Sequence, residues 1–351
     1  MTKISEPVRF LQSLVAIPSF SREEDQTAGL IRNFLSSYGI EVFSHLNNVW
    51  VFNKHYDSRR PTILLNSHHD TVSPSAKWTK DPFHPLIEEG KLYGLGSNDA
   101  GGALSSLLFT FLHYYEAENL PYNLVFAATA EEEISGKNGV ESILPKLGRI
   151  DLGIVGEPTN MQMAVAEKGL MVIDCEAAGK SGHAARDEGE NAIYKAMADI
   201  EWFRTYRFPE RSELLGEVKM TVTQISAGSQ HNVIPDVCKF VVDVRTNEKY
   251  TNQQVFDVIR RSVSCKTEAR SFRLNSSGIP IDHPVVKKGL SLGLSCFGSP
   301  TLSDQALMNF PTVKIGPGDS ARSHTADEFI YLHEIEEGID IYIRLLKDLA
   351  L

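Results

Sequence analysis

The sequence predicts an α/β fold in two parts. One is a domain with a mixed, largely parallel sheet flanked by helices, over residues 1–168 and 281–351. The other is an inserted ferredoxin-like βαββαβ domain over 169–280. Three observations predict this. The chain has 351 residues, more than one compact core usually covers. Its first half alternates short apolar runs with helical periods, the rhythm of strands and covering helices. Its middle runs strand, helix, strand, strand, helix, strand, which is complete as a small domain.

Residues 7–17 read as a helix with Phe10, Leu11 and Leu14 on one face, and residues 23–38 as a second helix stopped by Gly39. Short strands follow at 41–43, 49–53 and 62–66. The run Ile63-Leu64-Leu65-Asn66 is apolar and then polar, as in a buried parallel strand that delivers a loop to a site. A Gly-rich turn precedes a helix at 101–115, and strands at 123–129 and 151–155 end in acidic residues. In the middle, strands are expected at 169–178, 217–225, 238–245 and 267–274, with helices at 190–206 and 252–264. From residue 281 the α/β character returns, and a helix at 332–350 closes the chain.

Hydrophobic residues make up 42% and charged residues 23%, ordinary for a globular protein. The net charge of -10 argues against a nucleic-acid partner, which needs a basic face. No apolar run approaches the roughly 18 residues needed to span a bilayer, so no membrane partner is expected. The N-terminus, Met1-Thr2-Lys3-Ile4-Ser5-Glu6-Pro7, has no apolar stretch of the secretory kind, which predicts a cytoplasmic location. Cys175, Cys238, Cys265 and Cys296 are far apart, which predicts free thiols and no sulfur-bound metal.

Five segments carry candidate chemistry: Asn66-Ser67-His68-His69-Asp70, Gly94-Leu95-Gly96-Ser97-Asn98-Asp99-Ala100-Gly101-Gly102, Thr129-Ala130-Glu131-Glu132-Glu133, Val155-Gly156-Glu157-Pro158, and Gly316-Pro317-Gly318-Asp319-Ser320-Ala321-Arg322-Ser323-His324. Each has an ordinary reading alone. His68 and His324 would be surface imidazoles, Asp99 a helix cap, the glutamates a solvated loop and Glu157 a turn residue. Together they offer imidazoles from two distant segments and several carboxylates, a mixed N/O set that suits zinc, cobalt or manganese. Two close metals need a bridging carboxylate, and an unbound carboxylate nearby can act as base. Three of the segments follow expected parallel strands, at the end where such sheets bind ligands.

In order and spacing these segments resemble the M20-type co-catalytic zinc metallopeptidases and deacylases. That family contains acetylornithine deacetylase, succinyl-diaminopimelate desuccinylase, aminoacylase-1 and carboxypeptidase G2. The resemblance covers nearly the whole chain and implies a hydrolase with two divalent metal ions, zinc ahead of cobalt or manganese. It implies that His68 and Glu157 bind one metal, His324 and Glu133 the other, and that Asp99 bridges both. Glu132 would be the general base, with Gly136 and Gly139 favouring this register of the triple glutamate over one shifted by a residue. Asp70 would bond the other nitrogen of His68, and a cis peptide would follow Asp99. His69 falls on the opposite face of an extended segment and is not expected to be a ligand. Glu131 stands where many relatives have Asp.

The inserted domain carries Gly179-Lys180-Ser181-Gly182-His183-Ala184-Ala185, similar to the family's GxxGHxA segment. The resemblance places His183 in the active site of a second subunit, implying a homodimer. Open edge strands of a ferredoxin-like sheet offer a surface for such pairing. Asn232 and Arg245 match positions that hold a substrate α-carboxylate, a role suited to the Arg fork. For Arg245 a structural ion pair with Asp243 or Asp236 is the alternative. The substrate class implied is a small N-acyl amino acid. N-acetyl-L-ornithine, cleaved to L-ornithine and acetate as in arginine biosynthesis, comes first. An N-succinyl amino acid would need a second cation, with Arg322, Arg186 and Lys168 the candidates; diaminopimelate desuccinylation and dipeptide or aminoacylase chemistry follow. A silent amino-acid-binding relative would be expected to lack Glu132 or a ligand, and all are present.

Overall fold

In the computed structural model, residues 4–186 and 188–351 are described, so the Met1–Lys3 part of the N-terminal reading lies outside the described residues. The chain divides into two compact units, one of residues 1–165, 278–297 and 303–351, the other of 166–277 and 298–302. The segment 298–302 thus joins the second unit, although its sequence neighbours belong to the first.

The first unit is built on four adjacent parallel strands in the order Asn123–Thr129, Thr62–His68, Leu152–Val155 and Thr312–Lys314. Antiparallel strands extend it on both sides, with Asn48–Phe52 against Asn123–Thr129 and Lys314 opposite Ala164. Every residue of Thr62–His68 and Asn123–Thr129 is buried, because helices cover both faces of the sheet. Helix Gly102–Tyr114 is buried nearly all round and packs against helix Leu332–Leu346, which turns Ile335, Gly338, Tyr342 and Leu345 inward. Helix Glu6–Val15, with Pro7 in its first turn, buries Val8, Phe10, Leu11 and Leu14. Helix Asp25–Ser37 ends before Gly39, whose φ of 72° is the left-handed conformation that terminates helices.

The second unit has strands and helices in the order βαββαβ among its longer elements. Its four-stranded antiparallel sheet runs Lys219–Ala227, Val237–Thr246, Gly169–Ala178, Lys266–Ala269, a ferredoxin-like order. Gly169–Ala178 alternates: Met171, Ile173, Cys175 and Ala177 are buried in one core with Phe240, Val242, Val255 and Ile259. Helices Ala192–Thr205 and Asn252–Ser262 contribute to that core. Strand Lys219–Ala227 is an edge, its register shifted between Val222 and Gln224, and Ile225 on it is 58% exposed.

Candidate active site

The four parallel strands deliver their following loops to one place. His68 is the last residue of its strand, Glu131–Glu133 follow Thr129, Glu157 follows Val155, and the segment from Gly316 to His324 follows Lys314. Asp99 arrives from the loop between strand Lys91–Tyr93 and helix Gly102–Tyr114. This loop is a distorted helical turn rather than the simple Gly-rich turn expected, and the bond Asp99–Ala100 is cis, as the family resemblance implied.

Asp99 lies between the two imidazoles. Its Oδ1 is 3.4 Å from His68 Nε2 and its Oδ2 is 3.6 Å from His324 Nε2. Around His68 Nε2 stand Glu157 Oε1 at 3.8 Å and Glu132 Oε2 at 3.9 Å. Glu133 Oε2 lies 2.9 Å from His324 Nε2. The sets His68–Asp99–Glu133 and His68–Glu132–Glu157 each bring one donor atom per residue within 4.8 Å of the others, close enough for a metal ion. Glu132 is therefore itself within ligand reach, alongside its role as a candidate base.

Asp70 does more than the sequence implied. His68 Nδ1 donates to the Asp70 main-chain carbonyl at 2.9 Å, while the Asp70 carboxylate lies farther, at 3.4 Å. That carboxylate accepts the main-chain N–H of Glu132 at 3.0 Å and of Glu133 at 3.1 Å, and the Ser21 hydroxyl at 2.7 Å. The N–H of Glu131 donates to buried Glu24 at 3.2 Å, so all three glutamates are anchored through their amides. The Glu131 side chain turns away and accepts from Asn138. His69 also turns away, with Thr27 and Asn47 as partners, and burial lowers its pKa to about 4.

Glycines shape two approaches. A Cβ on Gly316 would come within 2.5 Å of the Glu157 carbonyl oxygen, so only glycine lets the late loop run beside Glu157. Gly318 has φ of 87° and would place a Cβ 2.4 Å from Asn98 Oδ1.

The site concentrates acids away from water. Burial pushes Glu157 up to about 8, with His68 opposing and Asp99 adding to the rise. Burial also drives Glu132 well above the usual carboxylate range; His68 opposes, and Glu157, Asp304 and Glu133 add repulsion. Burial disfavours charge on His68, but bonds to Asp70 and Asp99 outweigh it and raise its pKa. The bond to Glu133 is the main cause that lifts His324 to about 9. Clustered buried carboxylates with two imidazoles, and no sulfur, suit divalent cations, whose charge offsets the repulsion.

Sequence reasoning missed three buried acids here. Glu328 accepts main-chain N–H groups from the Asp99 loop. Asp304 accepts from the Thr129 hydroxyl and is raised to about 7 by burial. Glu24 is the third. Each sits in a polar or acidic run that reads as solvent-facing, so no local signal marked them.

Within the second unit, His183 and Asn232 are brought together. His183 pairs with Val233 across two short strands, and the Ala184 N–H donates to the Asn232 carbonyl. Arg245 makes a two-pronged ion pair with Asp243, at 2.8 and 3.1 Å, the structural alternative raised for it. Of the cations considered for a second carboxylate, Arg322 is held by Glu334 through two bonds and lies over Phe329 and Tyr331. Arg186 is exposed near Glu188. Lys168 neighbours Lys219 and Arg245; burial and then those charges lower its pKa.

An α/β sheet whose loops gather imidazoles and carboxylates into a nitrogen and oxygen donor set suits a divalent metal ion and the hydrolysis such ions promote. The model of peptidase family M20/M25/M40 matches residues 64–348, and the chain belongs to that family. An acetylornithine deacetylase of Proteus mirabilis is 28% identical, over 99% of this chain and 98% of that protein. A succinyl-diaminopimelate desuccinylase of a Ruegeria species is 23% identical, over 98% and 95%. Among solved structures, a Staphylococcus aureus tripeptidase matches with a TM-score of 0.78 at 20% identity, covering 97% of each chain. A dinuclear metal-binding peptidase of family M20 from Bacillus subtilis matches with a TM-score of 0.73 at 18% identity, over 97% and 96%. At these identities the two structures speak for the fold. No helix among the described residues is long and apolar enough to cross a membrane.

Proposed function

We propose that the chain hydrolyses the amide bond of an N-acyl amino acid, N-acetyl-L-ornithine first, to release L-ornithine and acetate in the cytoplasm. The observation that carries this reading is Asp99, whose two oxygens face two imidazoles from segments 256 positions apart (324 less 68). That is the position a carboxylate shared by two divalent ions takes. His68 and Glu157 would hold one ion, His324 and Glu133 the other, with zinc preferred over cobalt or manganese. When bound, such ions polarise a carbonyl and acidify water.

Glu132 takes a proton from the attacking water and returns it to the leaving amine. Burial raises its proton affinity, with His68 opposing. Asp70 holds Glu132 and Glu133 through their amides, and it sets the His68 ring through its carbonyl. Asn232 and Arg245 bind the substrate α-carboxylate. In a homodimer, His183 of each chain stabilises the oxyanion in the site of the other. The exposed edge strand Lys219–Ala227 and the exposed Tyr194 and Met197 of the adjacent helix support such an association.

A second reading, removal of a succinyl group, is favoured by Lys168 beside Lys219, which together could receive a second carboxylate. Amine release from N-acetyl and N-succinyl forms of ornithine, lysine and diaminopimelate separates the readings. The proposal expects the highest kcat/KM on N-acetylornithine. Tenfold preference for a succinyl substrate would move the assignment to desuccinylation.

A further inference from the structure

One residue outside the metal-binding motifs accepts four main-chain N–H groups of the Asp99 loop. The Glu328 carbonyl accepts the N–H of Gly94 at 3.0 Å. Its Oε2 accepts from Gly96 at 3.1 Å, and its Oε1 from Asn98 at 2.8 Å and Asp99 at 2.9 Å. Glu328 is 2% exposed, so water does not compete for these bonds. The short strand Phe329–Tyr331 pairs with Lys91–Tyr93, Phe329 opposite Tyr93, and this seats Glu328 under the loop.

Glu328 also lies four positions after His324. One short stretch of chain thus carries an imidazole that faces Asp99 Oδ2 and a carboxylate that grips the Asp99 N–H. Asn98 adds a second tie, donating to the Asp319 carbonyl and accepting the Asp319 N–H.

We infer that Glu328 is a positioning residue that fixes the Asp99 carboxylate against His324, and so sets how tightly the ion between Asp99, His324 and Glu133 is held. It touches neither substrate nor ion. A side chain with two acceptor oxygens is required because three N–H groups converge on both ends of the carboxyl group, and an amide side chain would turn an NH2 toward at least one of them. The inference rests on the assignment of Asp99 as the shared ligand.

The test is zinc binding to the folded chain, measured by competition with a chromophoric chelator, together with kcat, KM and thermal midpoint. Glu328→Gln should weaken one of the two zinc ions by about 10- to 100-fold, the range for lost outer partners of metal ligands, and leave the other near the parent's affinity. After reloading with excess zinc, kcat should stay depressed with KM within about twofold, since substrate contacts are intact. Asp327→Asn is the control. Asp327 also accepts two main-chain N–H groups, from Thr79 and Lys80, but none from the Asp99 loop. It should lose thermal stability while keeping both ions at parent affinity. If Glu328→Gln does not fold, Glu328→Asp keeps both acceptor oxygens and withdraws them by about 1.5 Å, and the same weakening is expected. Parent-like affinity for both ions in either folded variant overturns the inference. Retention of both ions by Asp99→Ala would instead overturn the reading on which it rests.

Discussion

Asp70 accepts the main-chain N–H of Glu132, 62 positions downstream, at 3.0 Å. The loop that presents the proposed base is therefore held by its backbone, leaving the Glu132 side chain free to exchange a proton. Asp70→Asn removes one anionic acceptor from the pair of amides at 132 and 133. Activity should fall by about 10- to 100-fold, as for other outer partners of metal ligands. Unchanged kcat in a folded Asp70→Asn variant would reduce Asp70 to a packing role.

Glu132→Gln keeps size and bonding but cannot accept a proton. Turnover should drop by about 10²- to 10⁴-fold, with metal content near the parent's. Because Glu132 stands within ligand reach of His68, elemental analysis is the deciding measurement. Loss of metal in Glu132→Gln with retention in Glu133→Gln would exchange the two roles.

Asp99→Ala removes the carboxylate that faces both imidazoles, so occupancy of both metals should fall, and modest added zinc should not restore activity. Full occupancy by elemental analysis would leave Asp99 as a structural residue of its loop.

The candidate metal-binding segments were legible in the sequence because their residue types recur at strand ends, and the fold brings His68, Asp99, Glu133, Glu157 and His324 together. The ferredoxin-like order was legible from alternation such as Met171, Ile173 and Cys175. Strand bounds were less so: the edge strand expected at 41–43 is Phe43–His45, because edge pairing depends on the neighbour at Asn48–Phe52. The expected strand at 267–274 is only Lys266–Ala269, its pairing with Gly169–Ala178 ending at Ala269 opposite Ile173. Glu24, Asp304 and Glu328 were invisible, since an acid reads as exposed until the fold supplies its donors. The short pairing of Phe329–Tyr331 with Lys91–Tyr93 joins residues too distant for any local pattern to show.

Gly316→Ala tests the crowding at Glu157. The added methyl would lie 2.5 Å from the Glu157 carbonyl, so either the late loop or the Glu157 loop must move. The expected result is reduced zinc occupancy with activity lowered by at least about tenfold. Parent-like activity would show that the loops separate freely.

His183 is tested by subunit exchange. His183→Ala and Glu132→Gln chains, each nearly inactive, are mixed in equal amounts. Random exchange makes half the dimers mixed, and one of two sites in each is complete, so about a quarter of all sites should recover. No recovery, with exchange verified by a tag, would mean that His183 serves its own chain or no site.

The central claim, metal-dependent hydrolysis of an N-acyl amino acid, is met most directly by one titration. Amine release from N-acetyl-L-ornithine is followed as zinc is returned to chelator-stripped chain. Negligible turnover is expected without metal, and activity should saturate at two zinc ions per chain. Undiminished turnover in the stripped chain, or no turnover of any N-acyl amino acid at full loading, would contradict it.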